Sequence, residues 1–520
     1  KIAAPFLPMF EKTKDFAGTG YYFFDLNAKA NYRFSQKDRV FISGYYGRDV
    51  FTYDNAESDF KVTIPWGNAT TSVRWNHLFN DKLFLNTTGI FSDYQFEFGA
   101  EQDDFEFILF SGIRDYNAKL DFTWLPSVRH DVRFGTNYTY HIFTPSSVSA
   151  RIGETHFDSG EIIRQRAHNA AVYLNDEFDL TERITISAGL RATLFEQVGP
   201  FDRYEKDQFN QTVDTVHYKA FEKVALYKNI EPRASLRYSI NDRSSLKAAY
   251  TQNFQYIHLA TISSASLPTD LWVPSSDIVR PQFGTQYSAG YFRNFAEDMF
   301  ETSVEIYYKK LENQIDYADG TTPADNVGDN ADNYFVFGSG ESYGTELFLK
   351  KAKGDLTGWI GYTLSKTNRL FPDINNGVEY PAKYDRRHDL SVLMTYRFKK
   401  KWTFSAVFIY ATGNATTLPV ARYIIEGRIV NEYGERNSYR MAPYHRLDIS
   451  ATYQNHEKQK NKKYKTYWNF SIFNVYNRAN PYFIYFDNEG DFQTGNFQTY
   501  AKQVSLFPIL PSVTLNIKFL

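Results

Sequence analysis

The run PSVTLNIKFL (511–520) sets Val513, Leu515, Ile517 and Phe519 on one face and Ser512, Thr514, Asn516 and Lys518 on the other. Strict alternation marks an extended strand with a greasy side and a wet side, because successive side chains point to opposite faces. The pattern recurs throughout. RITISAGLRATL (183–194) places Ile184, Ile186, Ala188, Leu190, Ala192 and Leu194 against Thr185, Ser187, Arg191 and Thr193. RHDLSVLMTYRF (387–398), HRLDISATY (445–453), HDVRFGTNYTY (130–140) and MFETSVEIYY (299–308) behave alike. These runs are about 9–12 residues, the length at which a tilted strand crosses a bilayer. Their polar faces carry charge in mid-strand, as a water-filled interior allows and a packed core does not.

A soluble antiparallel sandwich also alternates. Three features oppose it. The apolar faces end in aromatics, as at Trp402, Tyr410, Tyr453 and Trp468, like the girdles of a membrane barrel. The runs exceed the usual strand length. The connections also alternate: short polar turns near 35–38, 80–82, 126–130, 179–183, 241–243, 296–298, 353–355, 399–401 and the somewhat longer 455–463, against long Gly/Asn/Asp/Ser-rich stretches such as 143–166, 196–228, 252–283, 311–341 and 411–443. Short turns on one membrane side and long loops on the other are the mark of an outer-membrane barrel. The fold class is therefore all-β, a transmembrane antiparallel β-barrel, with residues 1–520 forming one barrel domain.

Composition closes other routes. The 520 residues are 18% aromatic, yet charged residues make up 23% and mean hydropathy is −0.49. No run of about 18 apolar residues offers a membrane helix. Cysteine is absent, which removes disulfides, thiolate metal sites and cysteine nucleophiles. A net charge of −2 gives no reason to expect nucleic acid. Counting strands gives about nineteen, whereas bacterial barrels close on an even number. KIAAPFLPMFEKTKDFAG (1–18) reads as the tail of an outer loop and Lys1 is no translation start, so the expectation is that first strands lie upstream.

YDRRHDLSVLMTYRFKKKWTFSAVFIYATGNATTLP (384–419), APYHRLDISATY (442–453), WNFSIFNVYNRANPYFIYF (468–486) and AKQVSLFPILPSVTLNIKF (501–519) resemble the carboxy-terminal barrel of TonB-dependent outer-membrane receptors. The subgroup resembled is the Bacteroidota type, which carries a carboxypeptidase-regulatory-like domain ahead of its plug. FFDLNAKANYRFSQKDRVFISGYYGRDVF (23–51) resembles its fourth and fifth strands, so the resemblance spans nearly the whole chain. It implies a barrel of roughly 22 strands around a globular plug, a bacterial outer-membrane location, and coupling to TonB through a plug that this sequence lacks. It leaves open a surface lipoprotein or other outer-membrane proteins as partners. Leu520 after Phe519 departs from the aromatic on which the family usually ends.

Candidate chemistry is sparse. Asp385, Arg386, Arg387, His388 and Asp389 cluster at a loop-to-strand junction, either as a rim charge network or, with His388 as general base, a hydrolytic site that lacks a placeable nucleophile. Asp319, Asp325, Asp329 and Asp332 offer the oxygen ligands calcium takes, though at no EF-hand spacing; a solvated loop is the plainer reading, and no other cofactor is implied. Tyr482, Phe483, Tyr485 and Phe486 in the last outer loop could stack on a sugar ring, an aromatic cargo or a partner, or simply pack the loop. EKQKNKKYK (457–465) is a basic run on the periplasmic side. The functional expectation is a receptor that binds a ligand with its outer loops and imports it. The alternatives are a structural subunit of a larger outer-membrane complex and, less in keeping with the rim, a barrel enzyme.

Overall fold

The computed structural model describes residues 19–55, 60–152, 155–158, 164–207, 209, 211–260, 270–321, 329–399, 401–425, 428–455, 463–489, 498–505 and 507–519. Most of them lie in one antiparallel sheet of 21 strands. Two members, Thr155–Asp158 and Tyr380–Pro381, are short flaps. The remaining nineteen pair in chain order. They begin Thr19–Arg33, Asp38–Asn55, Phe60–Asn80, Leu83–Gln102, Phe105–Trp124, His130–Ile152, Gln165–Asp179 and Ile184–Val198. Lys223–Asn241, Ser244–Gln255, Gln282–Phe295, Phe300–Tyr317, Phe335–Lys351 and Leu356–Leu370 follow. The series ends His388–Phe398, Trp402–Ala411, Tyr444–Tyr453, Tyr464–Phe473 and Leu510–Phe519. Among the described residues the first strand pairs only with the second and the last only with Tyr464–Phe473.

Strand length departs from expectation. The sequence suggests runs of about ten residues, yet Phe60–Asn80, Leu83–Gln102, Phe105–Trp124 and His130–Ile152 are 20 to 23 residues long. At about 3.3 Å per residue and a tilt near 45°, 20 residues rise roughly 45 Å, well beyond an apolar band of about 25 Å. These strands therefore stand out of the membrane, and part of the stretch read as loop from 143 continues the ladder to Ile152. One outer connection is not long at all: only Asp103 and Asp104 separate two strands, with Asp103 at φ 50°, which aspartate tolerates in a tight turn.

The two faces sort as the alternation requires. Val172, Leu174, Leu190, Ile230, Leu236, Val304, Ile306, Met394, Val513, Leu515 and Ile517 all point outward and are exposed in the protein alone. Trp402, Tyr453 and Trp468 share one register row near the periplasmic turns, with Trp402 and Tyr453 rings 4.9 Å apart. That is an interfacial girdle, with amphipathic rings at headgroup level. Inward rows are polar. Asp121, Gly135 and Tyr173 form one, and the Tyr173 hydroxyl crosses Gly135 to reach the Asp121 carboxylate. A Cβ at Gly135 would collide with the Leu120 carbonyl and the Tyr173 hydroxyl.

Packed apolar clusters lie where outer loops fold over the mouth. Segments Ile257–Ala260 and Leu271–Pro274 turn back as a hairpin, and Leu271, Val273 and Val279 pack with Ile315, Tyr317, Tyr334 and Phe335. Tyr256 stacks on Phe195 of the inner wall at 5.0 Å.

Candidate functional site

Two inner surfaces carry chemistry, the lumen wall and the outer mouth. Residues paired in register share a face, so Glu305, Glu346, Thr363 and Asp389 form one inward row across four strands. Glu305 and Glu346 are direct cross-strand neighbours, and neither makes an ion pair among the described residues. Like charges placed opposite one another destabilise a sheet. A cation in the lumen would relieve them. The row borders a recess of about 590 Å³ that Phe348 and Trp359 also line. Glu301, which also lines the recess, is answered by Lys350 Nζ at 3.0 Å.

At the mouth, arginines clasp loops that are distant in sequence. Arg203, from the hairpin Phe201–Lys206, is 3% exposed and donates from Nη1 to Asp332 at 2.8 Å and from Nη2 to Asp277. Asp332 also accepts from Ser276 Oγ at 2.6 Å. Arg436 reaches Asp319 at 2.6 Å and Asp316 at 3.4 Å. Arg440 donates to the buried Asp385 at 2.7 Å. Burial forces this pairing: a carboxylate removed from water is tolerated when a cation and further donors complete its shell.

Asp270, Lys383 and Tyr482 belong to three separate outer segments of the chain. Asp270 acts electrostatically on both Lys383 and Tyr482. Burial pulls the Lys383 ammonium down to about 8, with Asp316 and Asp270 opposing the shift and Arg369 and Arg436 assisting it. Burial, then Asp270, raises the Tyr482 phenol. Burial likewise raises Tyr380, whose hydroxyl has no hydrogen-bond partner among the described residues. The group mixes charge of both signs with phenol hydroxyls, the chemistry that recognises polar ligands.

The residues singled out from sequence disperse into several of these structures. Asp385 is buried in its Arg440 clasp, whereas His388 is exposed and meets Tyr362 Oη at 2.8 Å. Asp389 alternates to the lumen and lies 3.9 Å from Arg386, which donates to Asn414 at 3.1 Å. The Arg387 carbonyl accepts from Ser365 N–H. The five are thus split between the two faces. Of the four aspartates, Asp319 holds Arg436, Asp329 holds Lys206 at 2.6 Å and Asp332 holds Arg203; Asp325 lies outside the described residues. Phe486 pairs in register within the hairpin strand Pro481–Glu489, and Tyr482 sits at the register shift near its start; the side chains of Phe483 and Tyr485 lie outside the described ones. The basic run is likewise outside from 456 to 462. Arg203, Arg436, Arg440, Asp270 and Lys383 were not legible: each is a single charge in a polar loop, and its partner is set by loop folding.

Residues 7–478 match the family model described as TonB dependent receptor-like, beta-barrel. No curated protein matches the chain in sequence. Among solved structures, the ferric-catecholate import receptor Fiu from E. coli K12 is 12% identical with TM-score 0.60, covering 97% of this chain and 75% of its own. The siderophore receptor PiuA from Acinetobacter baumannii is 11% identical with TM-score 0.64 over 97% and 75%. The ferric yersiniabactin uptake receptor FyuA from Yersinia pestis is 11% identical with TM-score 0.60 over 96% and 71%. At these identities the likeness is one of fold. The long antiparallel barrel, its outward apolar faces and the family match agree: the chain belongs to the TonB-dependent receptor-like β-barrel family, whose members are transport receptors of the bacterial outer membrane and not enzymes.

Proposed function

We propose that the protein captures a scarce polar ligand at its outer mouth and imports it, with energy from TonB transmitted through a plug in the lumen. The observation that carries this is that Lys383 and Tyr482, from two separate outer segments, both lie within electrostatic reach of Asp270 from a third, in a mouth whose loops are clasped by arginines. Clasped loops hold a recognition surface in place before the ligand arrives, which lowers the ordering cost of binding. The acidic Glu305–Glu346 row favours a plug presenting a basic side chain at that height. The barrel sequence motifs resemble those of the Bacteroidota-type subgroup, which supports that assignment and, with it, a surface lipoprotein as a further partner of the outer loops. Aspartates 319, 329 and 332 already face basic side chains, which argues for loop fixation over calcium in that segment.

The test is metabolite depletion from a defined mixture of nutrients by cells that express the protein and by cells that lack it. Expression-dependent loss of one component, abolished by dissipating the proton motive force and weakened at least tenfold in Lys383→Ala, supports import. Depletion unaffected by both treatments refutes it.

A further inference from the structure

The inner wall near the mouth holds four buried side-chain atoms with no hydrogen-bond partner among the described residues: His141 Nε2, Gln165 Oε1 and both ends of the Gln197 amide. The three residues are 4%, 1% and 0% exposed. Register brings them together. His141 stands opposite Ala167, and Ala167 opposite Gln197, in one row. Gln165 stands one step further along the same face, opposite Phe143. Strands lie about 4.8 Å apart, so the His141 and Gln197 backbones are roughly 10 Å apart with only the Ala167 methyl between them. Two medium-length side chains reach inward on either side of that methyl.

The protonation pattern is set from outside the row. His141 Nδ1 lies 2.7 Å from Asp115 Oδ1, and the carboxylate favours the tautomer with its proton there. Nε2 is then a bare acceptor on the ring edge turned away from Asp115. Gln165 adds an acceptor, and Gln197 adds an acceptor and an amide nitrogen with two N–H donors. Phe143, Phe195 and Tyr256 are buried in one cluster with Ala167, and Trp272 packs against it. A buried polar atom left bare forfeits its hydrogen bond to water and gains nothing in return, and three acceptors and a donor along one face are far from ordinary.

We infer that this row is an internal hydration site, in which at least one ordered water donates to His141 Nε2 and to a glutamine carbonyl and accepts from the Gln197 amide. Water matches the set because it supplies two donors and two acceptors, and the site is polar and enclosed, the conditions under which buried water is retained. The inward hairpin of Ile257–Ala260 and Leu271–Pro274 therefore rests partly on water.

Gln197→Leu keeps the side chain's size and removes both amide ends. In the full-length protein in detergent, a hydrated site loses a water ligand, and amide exchange at Ile257–Ala260 quickens by about threefold to tenfold. A dry site is relieved of two bare polar atoms, so exchange slows or stays unchanged, which would overturn the inference. A structure of the unsubstituted protein at a resolution showing individual waters gives an independent reading. Density within hydrogen-bond distance of His141 Nε2 and the Gln197 amide supports the site; an empty space, or a Gln197 amide turned onto protein partners, refutes it.

Discussion

Arg203→Ala tests whether the mouth is held by clasps. Two carboxylates meet this guanidinium, and they differ. The Asp277 side chain is 37% exposed, so its pair contributes at most about 1 kcal/mol after solvent screening. The Asp332 side chain is fully buried, and deleting its cation strands a charge, at a cost of about 3–5 kcal/mol. The bond from Ser276 Oγ survives, as do the cross-loop bonds of Asn330 to Tyr204 N–H and to the Asp202 carbonyl. With those contacts kept, the lower end of the range applies. At about 1.4 kcal/mol per decade, local opening should rise roughly a hundredfold. The readout is hydrogen exchange at Tyr204, whose N–H donates to Asn330 Oδ1, and at Asn333, whose N–H donates to the Asn330 carbonyl. Arg203→Met combined with Asp332→Asn should recover most of the protection, since no charge is stranded when both partners go. An acceleration below about threefold in the single variant, or no recovery in the double, would show that packing and not the clasp holds these loops.

Other outcomes follow from the same geometry. His258 is buried with Nε2 2.9 Å from Ser275 Oγ, and burial lowers its imidazole to about 4. A base whose folded value lies below its unfolded one makes the unfolded form bind more protons, so stability is full above about pH 6.5 and falls as pH drops towards 4, by roughly 3 kcal/mol in all. Exchange at Ile257–Ala260 should accelerate over that window in the native protein and lose the dependence in His258→Gln. On the closing strand, Leu515→Arg puts a charge on the lipid face at a cost of about 2–4 kcal/mol near the midplane, whereas Asn516→Arg faces inward; equal yields of assembled barrel would refute the face assignment. Glu346→Lys converts the like-charged pair with Glu305 into an opposite one, so the barrel should assemble normally while import is lost; retained import counts against a cationic group docking there.

The sheet was legible because its signal is repeated. Each lipid-facing row is a one-residue alternation, and a single slip would turn Leu515 into the lumen and Asn516 into lipid, so the pattern must hold through every crossing. The turn positions followed for the same reason. What the alternation cannot set is how far a strand continues past the membrane, since beyond the apolar band both faces are wet; this is why His130–Ile152 reaches beyond the run read at 130–140. The mouth was still less legible. DRRHD reads as one cluster along the chain, but a strand sends neighbours to opposite faces, so His388 and Asp389 part company while Asp385 pairs with Arg440, 55 residues away.

The contrast between lumen and mouth is itself physical. Glu346 is solvent-exposed on the inner wall and, among the described residues, has no ion pair beside Glu305; water there screens the charge. Asp332 and Asp385 lie under folded loops, where screening is lost, and each is held by an arginine and a further donor. Lys383 in the mouth differs from them in sign: burial outweighs the carboxylates that act on it and holds its ammonium at about 8. An anionic group arriving beside it would raise that value, and by linkage its binding must weaken as pH climbs through 8. A neutral or cationic ligand would show no such loss, so the pH dependence of capture between about 7 and 9 reports the charge of the cargo before its identity is known.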